Sequence, residues 1–540
     1  MWRLLILMTL LHSKDLLKHV ESAYAYKVIG VVDLDWLSSQ PRYVLYQLLR
    51  QWYKSAYDNN ERIVLFSRDR VSFQMLTHIQ KCASLIDISN FFILICSPEF
   101  SNEDFELVRT QHSCDECVFS SLHINFQDNL TYAQLNTNFE LPDSFCFSPW
   151  AHLEIASNGE FKPCCVYKES ITTSNGIPYN INSHSVAEVY NSDYSKQLRQ
   201  QFLSGNKPVG CQNCWYKEQH GGKSNRMWTT DHLGSRAHCL HVEQDQLSNL
   251  ISLDIKMGNL CNFKCRICGP DGSSRIAEER AKHFEFKTDL KLLNQQGQWV
   301  ENQKIWKMFE NLGSQLVNVD FYGGEPFLIR QHEVFLDFLI KHNYAKNIRL
   351  HYNSNGSIYP THLIDKWQWF RQVDIAFSID NIGTRFELER GGNWKKVEEN
   401  LDNFLRSKLP NMILSVYPTV SIQNVYYLDQ LIAWFETKNF NALVWNLLED
   451  PKYLSVINMN QDLTKLVLKK LQTIDNDKLE KYNLKSIIEL LKKQKHSSNS
   501  IDQLAEYMLK LDNIRNQKFY ETHSEIADII YKGKNHGQTI

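Results

Sequence analysis

No stretch of this 540-residue chain holds the roughly eighteen consecutive apolar residues that a bilayer-crossing helix needs, so no membrane span is expected. The longest early apolar run, Leu4 to Leu11 behind Arg3, is far too short, and it lacks the small-residue cleavage site of a secretory leader. It reads as a buried strand or the start of a helix. An excess of one charge is missing as well. Lys and Arg number 59 against 61 Asp and Glu, a formal charge of −2, which provides no global field for nucleic acid or an anionic membrane. No Gly-rich phosphate loop follows a strand-like run in the first domain, which leaves a nucleotide site there unsupported. Solenoid-period repeats are absent, and the only biased tract is the short Ser-rich turn at Ser497 to Ser500.

What is present is a globular composition, with 43% hydrophobic, 12% aromatic and 22% charged residues. A chain this long is expected to divide into several domains. Residues 1–139 alternate strand-like runs (Lys27 to Leu34, Arg62 to Phe66, Phe91 to Cys96) with helical periodicity at Val44 to Tyr57 and Phe73 to Leu85, which predicts a small α/β domain with a parallel sheet. Residues 140–248 are short aromatic segments punctuated by Gly, Pro and five cysteines. Residues 249–450 show six strand-like runs: Ser252 to Lys256, Val317 to Phe321, Ile348 to Tyr352, Asp374 to Ile379, Ile413 to Val420 and Leu443 to Leu447. Helix-like stretches separate them, so the fold class is α/β with a partial (β/α)6 barrel, whose functional residues belong at the carboxyl ends of the strands. Residues 451–540 carry helical periodicity and predict a helical C-terminal region.

The thirteen cysteines cluster at short spacings, which points to metal in a reducing compartment, and hence to the cytoplasm, rather than to disulfides. Directly after the first barrel strand comes Cys261-Asn-Phe-Lys-Cys265-Arg-Ile-Cys268, three soft thiolates on one loop where a cubane needs four ligands. A zinc site completed by a distant residue is the alternative. The second strand ends in Gly323-Gly324-Glu325-Pro326, where glycines permit close backbone approach and Glu325 with the exposed carbonyls can accept from an ammonium. The third leads into Ser354-Asn355-Gly356, and the fourth ends in Ser378-Ile-Asp380. Upstream lie Cys146, Cys164, Cys165, Cys211 and Cys214, enough thiolates for a closed cluster or for a structural zinc. Cys114 and Cys117 form an isolated C-x2-C pair. Cys82 and Cys96 sit in apolar runs and read as core, and Cys239, beside His238 and His241, is given no role.

The C-x3-C-x2-C loop at a strand end resembles the hallmark of the radical S-adenosylmethionine (radical SAM) superfamily. The resemblance implies a 4Fe-4S cluster on Cys261, Cys265 and Cys268 with S-adenosylmethionine chelated at the open iron, and reductive cleavage to a 5'-deoxyadenosyl radical that abstracts hydrogen from a substrate. Gly323, Gly324, Glu325 and Pro326 resemble the family's GGEP motif along the methionine. Ser354, Asn355, Ser378 and Asp380 resemble positions around the nucleoside, and Arg390 and Thr419 to Gln423 are further candidates for the carboxylate and the adenosine. Arg390 read alone could also be a surface ion pair. Ile267 stands where many relatives carry an aromatic residue near the adenine.

The upstream cysteines resemble a SPASM/twitch module placed ahead of the barrel, which implies an auxiliary 4Fe-4S cluster on Cys146, Cys164, Cys211 and Cys214, with Cys165 the competitor of Cys164. A peptide or protein substrate is implied by analogy, together with an electron donor such as flavodoxin or ferredoxin and no nucleic-acid or membrane partner. Alternatives are a small carbohydrate, nucleoside or lipid-linked substrate, a methyltransferase using the same cofactor, and a non-catalytic iron-sulfur or zinc scaffold.

Overall fold

The computed structural model describes residues 28–33, 62–67, 92–96, 142–219, 223–233, 247–284, 297–493 and 499–532. The run Leu4 to Leu11, the helices expected at Val44 to Tyr57 and Phe73 to Leu85, Cys82, Cys114, Cys117, His238, Cys239, His241, Ser497 and Ser498, and the side chain of Cys96 lie outside the described residues. The chain divides into two compact units, Met1–Ala151 with Lys196–Asn249, and His152–Ser195 with Leu250–Ile540.

In the first unit, β1 (Val28–Asp33), β2 (Arg62–Ser67) and β3 (Phe92–Cys96) pair in parallel in that order, where the β-branched runs predict them. The same unit holds helices at Gln212–Gln219 and Asn225–Leu233.

The second unit is built on an eight-stranded sheet. Its members are β4 (His152–Ile155), β5 (Phe161–Lys162), β6 (Ser252–Lys256), β7 (Asn318–Tyr322), β8 (Arg349–Ser354), β9 (Gln372–Phe377), β10 (Met412–Val416) and β12 (Ala442–Leu443), in the order β12-β10-β9-β8-β7-β6-β4-β5. All neighbouring pairs are parallel except β4 with β5, so the six expected α/β strands lie in sequence order and their carboxyl ends share one edge. The seventh parallel strand, β4, comes from the cysteine-rich segment and pairs with β6 from His152 opposite Ser252 to Ile155 opposite Ile255.

The expected run Ile413 to Val420 is two strands. β10 stops at Val416, and β11 (Thr419–Val420) pairs instead with β13 (Asn446–Leu447) in a separate two-stranded sheet. Pro418 explains the break, since it offers no N–H to a ladder and restricts Tyr417 before it. Leu443 to Leu447 divides for the matching reason, with Ala442–Leu443 following β10 and Asn446–Leu447 following β11.

Alternation decides what each face of the sheet does. Leu253, Ile255, Val319, Phe321, Leu350, Tyr352, Val373, Ile375, Phe377 and Leu414 are all buried. The helices that cover this face include α2 (Gln303–Glu310), α3 (Glu333–Lys341), α4 (Thr361–Trp367) and α6 (Trp394–Arg406), preceded by α1 (Ser274–His283), with α5 (Gly383–Arg390) between α4 and α6. They bring Trp306, Phe309 and Phe335 together in one ring cluster, while Trp367 and Phe404 join Phe321, Phe327, Tyr352 and Phe377 in another. The opposite face is polar from β4 to β9 apart from Ala376, which stands beside Asn353.

After α7 (Leu428–Glu436) the C-terminal region is helical as expected, with α8 (Gln461–Leu471), α9 (Leu484–Lys493), α10 (Asn499–Arg515) and α11 (Ser524–Ile530). Asn460 caps α8 by accepting from the Leu463 amide, and Val467, Leu471, Leu484 and Leu504 are fully buried. No helix among the described residues is long and apolar enough to cross a membrane.

Candidate functional site

The three-cysteine loop leaves the carboxyl end of β6. Its shape is set by side chains that answer backbone groups. Asn259 donates to the Pro270 carbonyl at 2.9 Å, and Ser273, the cap of α1, accepts from the Ile276 amide and donates to the Phe263 carbonyl at 2.8 Å. A turn from the Cys268 amide to the Cys265 carbonyl at 3.0 Å closes the loop between those two cysteines. Burial pushes Cys265 up to about 12 and Cys268 up to about 11, with the other thiols adding to the effect and the Arg390 guanidinium opposing it. Burial raises Cys261 too. Thiols this reluctant to ionise alone become thiolates only where a cation replaces the proton, which is the situation of a metal ligand. Among the described residues no set of three or more His, Cys, Asp or Glu side chains is gathered to hold a single metal ion.

The Gly323-Gly324-Glu325-Pro326 turn lies directly against this loop. Gly324 has φ +57, and a Cβ on it would stand 2.1 Å from the Leu260 carbonyl oxygen, while a Cβ on Gly323 would meet the Gly258 carbonyl oxygen at 2.6 Å. Only glycine allows that approach. Glu325 is fully buried. One of its oxygens accepts from the Phe327 amide at 3.2 Å and from Ser354 at 3.0 Å, and the other accepts from the Asn355 amide at 2.7 Å. Burial pushes its carboxyl up to about 7 against those three donors. The expected acceptor of an ammonium is thus also a brace between the ends of β7 and β8. Asn355 completes the link, donating to Asn262 at 3.0 Å and toward the Cys261 sulfur at 3.8 Å.

Ser378 donates its amide to the Ser354 carbonyl at 2.8 Å. Asp380 and Arg390 find each other: Arg390 Nη1 donates to one Asp380 oxygen at 2.5 Å, and the Thr419 amide donates to the other at 2.7 Å. Arg390 is therefore in a buried ion pair, not a surface one, and its Nε has no partner. Its charge also acts on Cys265 and Cys261. Three thiols sharing one neighbourhood with a buried guanidinium that has an N–H to spare fit an anionic iron-sulfur cluster. Ile267 is half-buried on the same loop.

Sequence reasoning missed what holds the loop from behind. Arg266 is fully buried and donates to Asp512 at 2.5 Å, to Gln517 at 2.9 Å and to the Leu388 carbonyl at 3.2 Å. Tyr507 donates to the Arg266 carbonyl at 2.8 Å, and Arg515 to the Lys264 carbonyl at 2.8 Å while gripping Glu279 with two nitrogens. The Arg266 amide donates to the Glu389 carbonyl at 2.7 Å. Glu389 in turn meets His523 at 2.9 Å. Burial pushes Glu389 up to about 8 and the His523 ring well down, so it works against charge on both partners.

The polar face of the sheet was missed as a surface, although the alternation His152/Glu154, Ser252/Asp254/Lys256, Asn318/Asp320/Tyr322 and Arg349/His351/Asn353 is visible in the sequence. Its deeper half is a closed network. His152 contacts Ser252 at 3.0 Å and Asp254 at 3.3 Å, and Arg349 joins Asn318 at 2.7 Å, Asp374 at 2.5 Å and Asp320 at 3.5 Å. Burial disfavours charge on His152 and Asp254 alike, yet each holds the other ionised, His152 above its ordinary value and Asp254 below. Burial and then the neighbouring Asp254 push Asp320 up to about 7.

In the first unit, Cys146, Cys211 and Cys214 come together, and burial followed by the neighbouring thiols drives Cys211 well up. Arg226 fixes this corner by forking onto Glu218 at 2.7 and 3.0 Å and donating to the Asp143 and Phe145 carbonyls at 2.8 and 2.9 Å. Cys164 and Cys165 follow β5 in the other unit, where Asp254, Cys164 and Glu154 are the charges acting on Cys165 after burial.

Residues 255–434 match the model of the Radical SAM superfamily. That stretch, from β6 to α7, is a Radical SAM domain. Residues 146–215 match a second model, SPASM, an iron-sulfur cluster-binding domain, which precedes the first in the sequence. A Radical SAM domain implies a 4Fe-4S cluster with S-adenosylmethionine, and a SPASM domain implies auxiliary iron-sulfur clusters. Among curated proteins it is similar to a GTP 3',8-cyclase of Actinobacillus pleuropneumoniae serotype 5b (strain L20), 25% identical over 224 residues that cover 39% of this chain and 58% of that one. A GTP 3',8-cyclase of Haemophilus ducreyi is 23% identical over 204 residues, 36% of this chain and 53% of that one. The chain thus spans little more than half the length of these relatives. Similar solved structures include anSMEcpe with bound AdoMet (20% identity, 41% of this chain and 59% of that one, TM-score 0.30) and SuiB of Streptococcus suis (11% identity, 59% and 64%, TM-score 0.29).

Proposed function

We propose that this enzyme abstracts hydrogen from a peptide or protein substrate laid along the polar face of the barrel sheet. The observation that carries the substrate class is the polarity of that face. Glu154, Asp254, Asp320 and Asp374 stand among His152, Lys162, Lys256 and Arg349, with Ser252, Asn318 and Asn353 between them. Such a wall of mixed charge and hydrogen-bonding groups suits the amides and polar side chains of a peptide.

The cofactors of the three-cysteine site supply, on receipt of one electron from a donor such as flavodoxin or ferredoxin, a 5'-deoxyadenosyl radical. The chain does the placing. Cys261, Cys265 and Cys268 hold the cluster, Gly323 and Gly324 admit the methionine backbone, and Glu325 and Pro326 shape the turn that faces its ammonium. Ser354, Asn355, Ser378 and Asp380 border the nucleoside, and Arg390 offers its free N–H to an anionic group. In this reading residues 1–139, 140–248, 249–450 and 451–540 act as an α/β domain, the auxiliary module, the catalytic barrel and a helical brace, in the cytoplasm. As the resemblance to a SPASM/twitch module implies, the auxiliary ligands are Cys146, Cys164, Cys211 and Cys214.

Replacing Cys146, Cys164, Cys211 and Cys214 together by serine is expected to remove about four irons per chain and leave the barrel cluster's own signal in place, as read by iron analysis and electron paramagnetic resonance. Unchanged iron would refute the ligand set. The substrate class is tested by 5'-deoxyadenosine formation in reconstituted, reduced enzyme offered a tryptic peptide mixture or GTP. Peptides are expected to raise the rate about tenfold or more, and stimulation by GTP alone would overturn the reading.

A further inference from the structure

The end of α5 is packed directly onto the cysteine loop. The Glu389 carbonyl accepts from the Arg266 amide at 2.7 Å, and the Leu388 carbonyl accepts from the Arg266 guanidinium at 3.2 Å. On the other side of Arg390, a Cβ on Gly392 would stand 2.1 Å from the ring of Phe263, which lies between Cys261 and Cys265 in the chain, and one on Gly391 would come to 3.3 Å from the Lys264 amide nitrogen. Arg390 is therefore fastened to the loop through the residues before and after it. It is 7% exposed, and Asp380, its partner at 2.5 Å, is 3% exposed.

A buried ion pair is neutral as a whole, so what a neighbour feels depends on which end lies nearer. The two Asp380 oxygens are answered by Arg390 Nη1 and by the Thr419 amide at 2.7 Å. The guanidinium is less fully answered, since its Nε is buried without a partner. Its charge bears on Cys261, Cys265 and Cys268 alike, whereas that of Asp380 opposes it at Cys265 with the smaller effect. The pair thus turns its positive end to the thiols. An electron entering at those thiols adds a negative charge in a site shielded from water, where a fixed cation favours the reduced form.

We propose that the Arg390 guanidinium, held against the cysteine loop by the end of α5, raises the reduction potential of the barrel cluster, and that the Asp380 carboxylate moderates this effect. One electron enters from the reductant, and no bond forms or breaks at Arg390. The effect precedes any contact of Arg390 with S-adenosylmethionine. The inference rests on the three-cysteine cluster reading and deepens it.

The test is a redox titration of the reconstituted full chain without S-adenosylmethionine, following the paramagnetic signal that the Cys261→Ala, Cys265→Ala, Cys268→Ala variant lacks. Arg390→Met is expected to lower the ratio of reduced to oxidised cluster about tenfold at a given potential, a downward shift of about 59 mV for a one-electron couple. Arg390→Lys keeps the charge and should stay near the parent. Asp380→Asn keeps an acceptor for the guanidinium while removing its counter-charge, and should shift the midpoint upward. Opposite shifts from the two ends of one ion pair are not what a purely structural role produces. A parent-like midpoint in Arg390→Met, a lysine variant that falls with it, or an unchanged or lowered midpoint in Asp380→Asn overturns the inference. Should the single variants lose the barrel iron through a stranded buried charge, Arg390→Met with Asp380→Leu removes both charges together, and an unchanged midpoint there overturns it as well. A parent without the cysteine-dependent signal overturns the cluster reading along with this inference. A parent that has the signal, with a midpoint indifferent to both residues, leaves that reading standing and removes this one.

Discussion

Changing Cys261, Cys265 and Cys268 together to alanine is expected to lower 5'-deoxyadenosine formation more than about a thousandfold, to background. All three thiols serve one cluster, so their effects are those of a unit and a single replacement should cost nearly as much as three. The fold should survive. The three cysteines contribute little apolar area, and the loop keeps the bonds of Asn259, Ser273, Arg266 and Glu325 that shape it. A variant that melts like the parent, has lost the barrel iron and still makes 5'-deoxyadenosine would remove the cluster from the mechanism. S-adenosylhomocysteine as the sole product from the parent would point to methyl transfer instead.

The second large effect is expected at Arg266. Its guanidinium is wholly buried against Asp512, and burial lowers its affinity for the proton even with that partner. Asp512→Leu alone strands the charge and is expected to cost about 3–5 kcal/mol, a large share of a domain's stability. Adding Arg266→Met should restore most of it, since two well-packed apolar groups can replace a buried ion pair at little cost. Thermal melts of the two single variants and the double variant measure this coupling. If Asp512→Leu melts with the parent, the pair is not what holds the loop. The double variant also separates stability from placement: its 5'-deoxyadenosine rate is expected to fall about tenfold even where its melting temperature recovers, because the loop has then lost every side-chain bond of Arg266 that fixes it to Leu388, Asp512 and Gln517.

The strands that carry the site were legible because each is a short β-branched run at a regular interval, and their motifs follow within a few residues. Gly323 and Gly324 were legible for the same reason. What they approach was not, since Gly258 and Leu260 lie on another strand's loop. β4 escaped notice because His152–Ile155 is only four residues in a segment without other sheet signals, and it is a strand only by virtue of β6 beside it. Pro418 carried a signal for the break between β10 and β11, yet Ile413 to Val420 was read as one strand. Glu325 and Asp380 were read as groups free for a ligand, while the structure gives both carboxylates internal partners. A residue's type shows what it can bond, and only the fold shows what has already reached it.

The brace behind the cysteine loop also orders events in the life of the chain. Arg266 and Asp512 are separated by 246 positions, and Lys264 and Arg515 by 251. During synthesis the loop that must receive iron therefore emerges long before the helix that fastens it, and the long-range contacts close last. The nascent protein passes through an interval in which the cysteine loop is unfastened, and that interval closes once Asp512 and Arg515 have been made and have packed behind it.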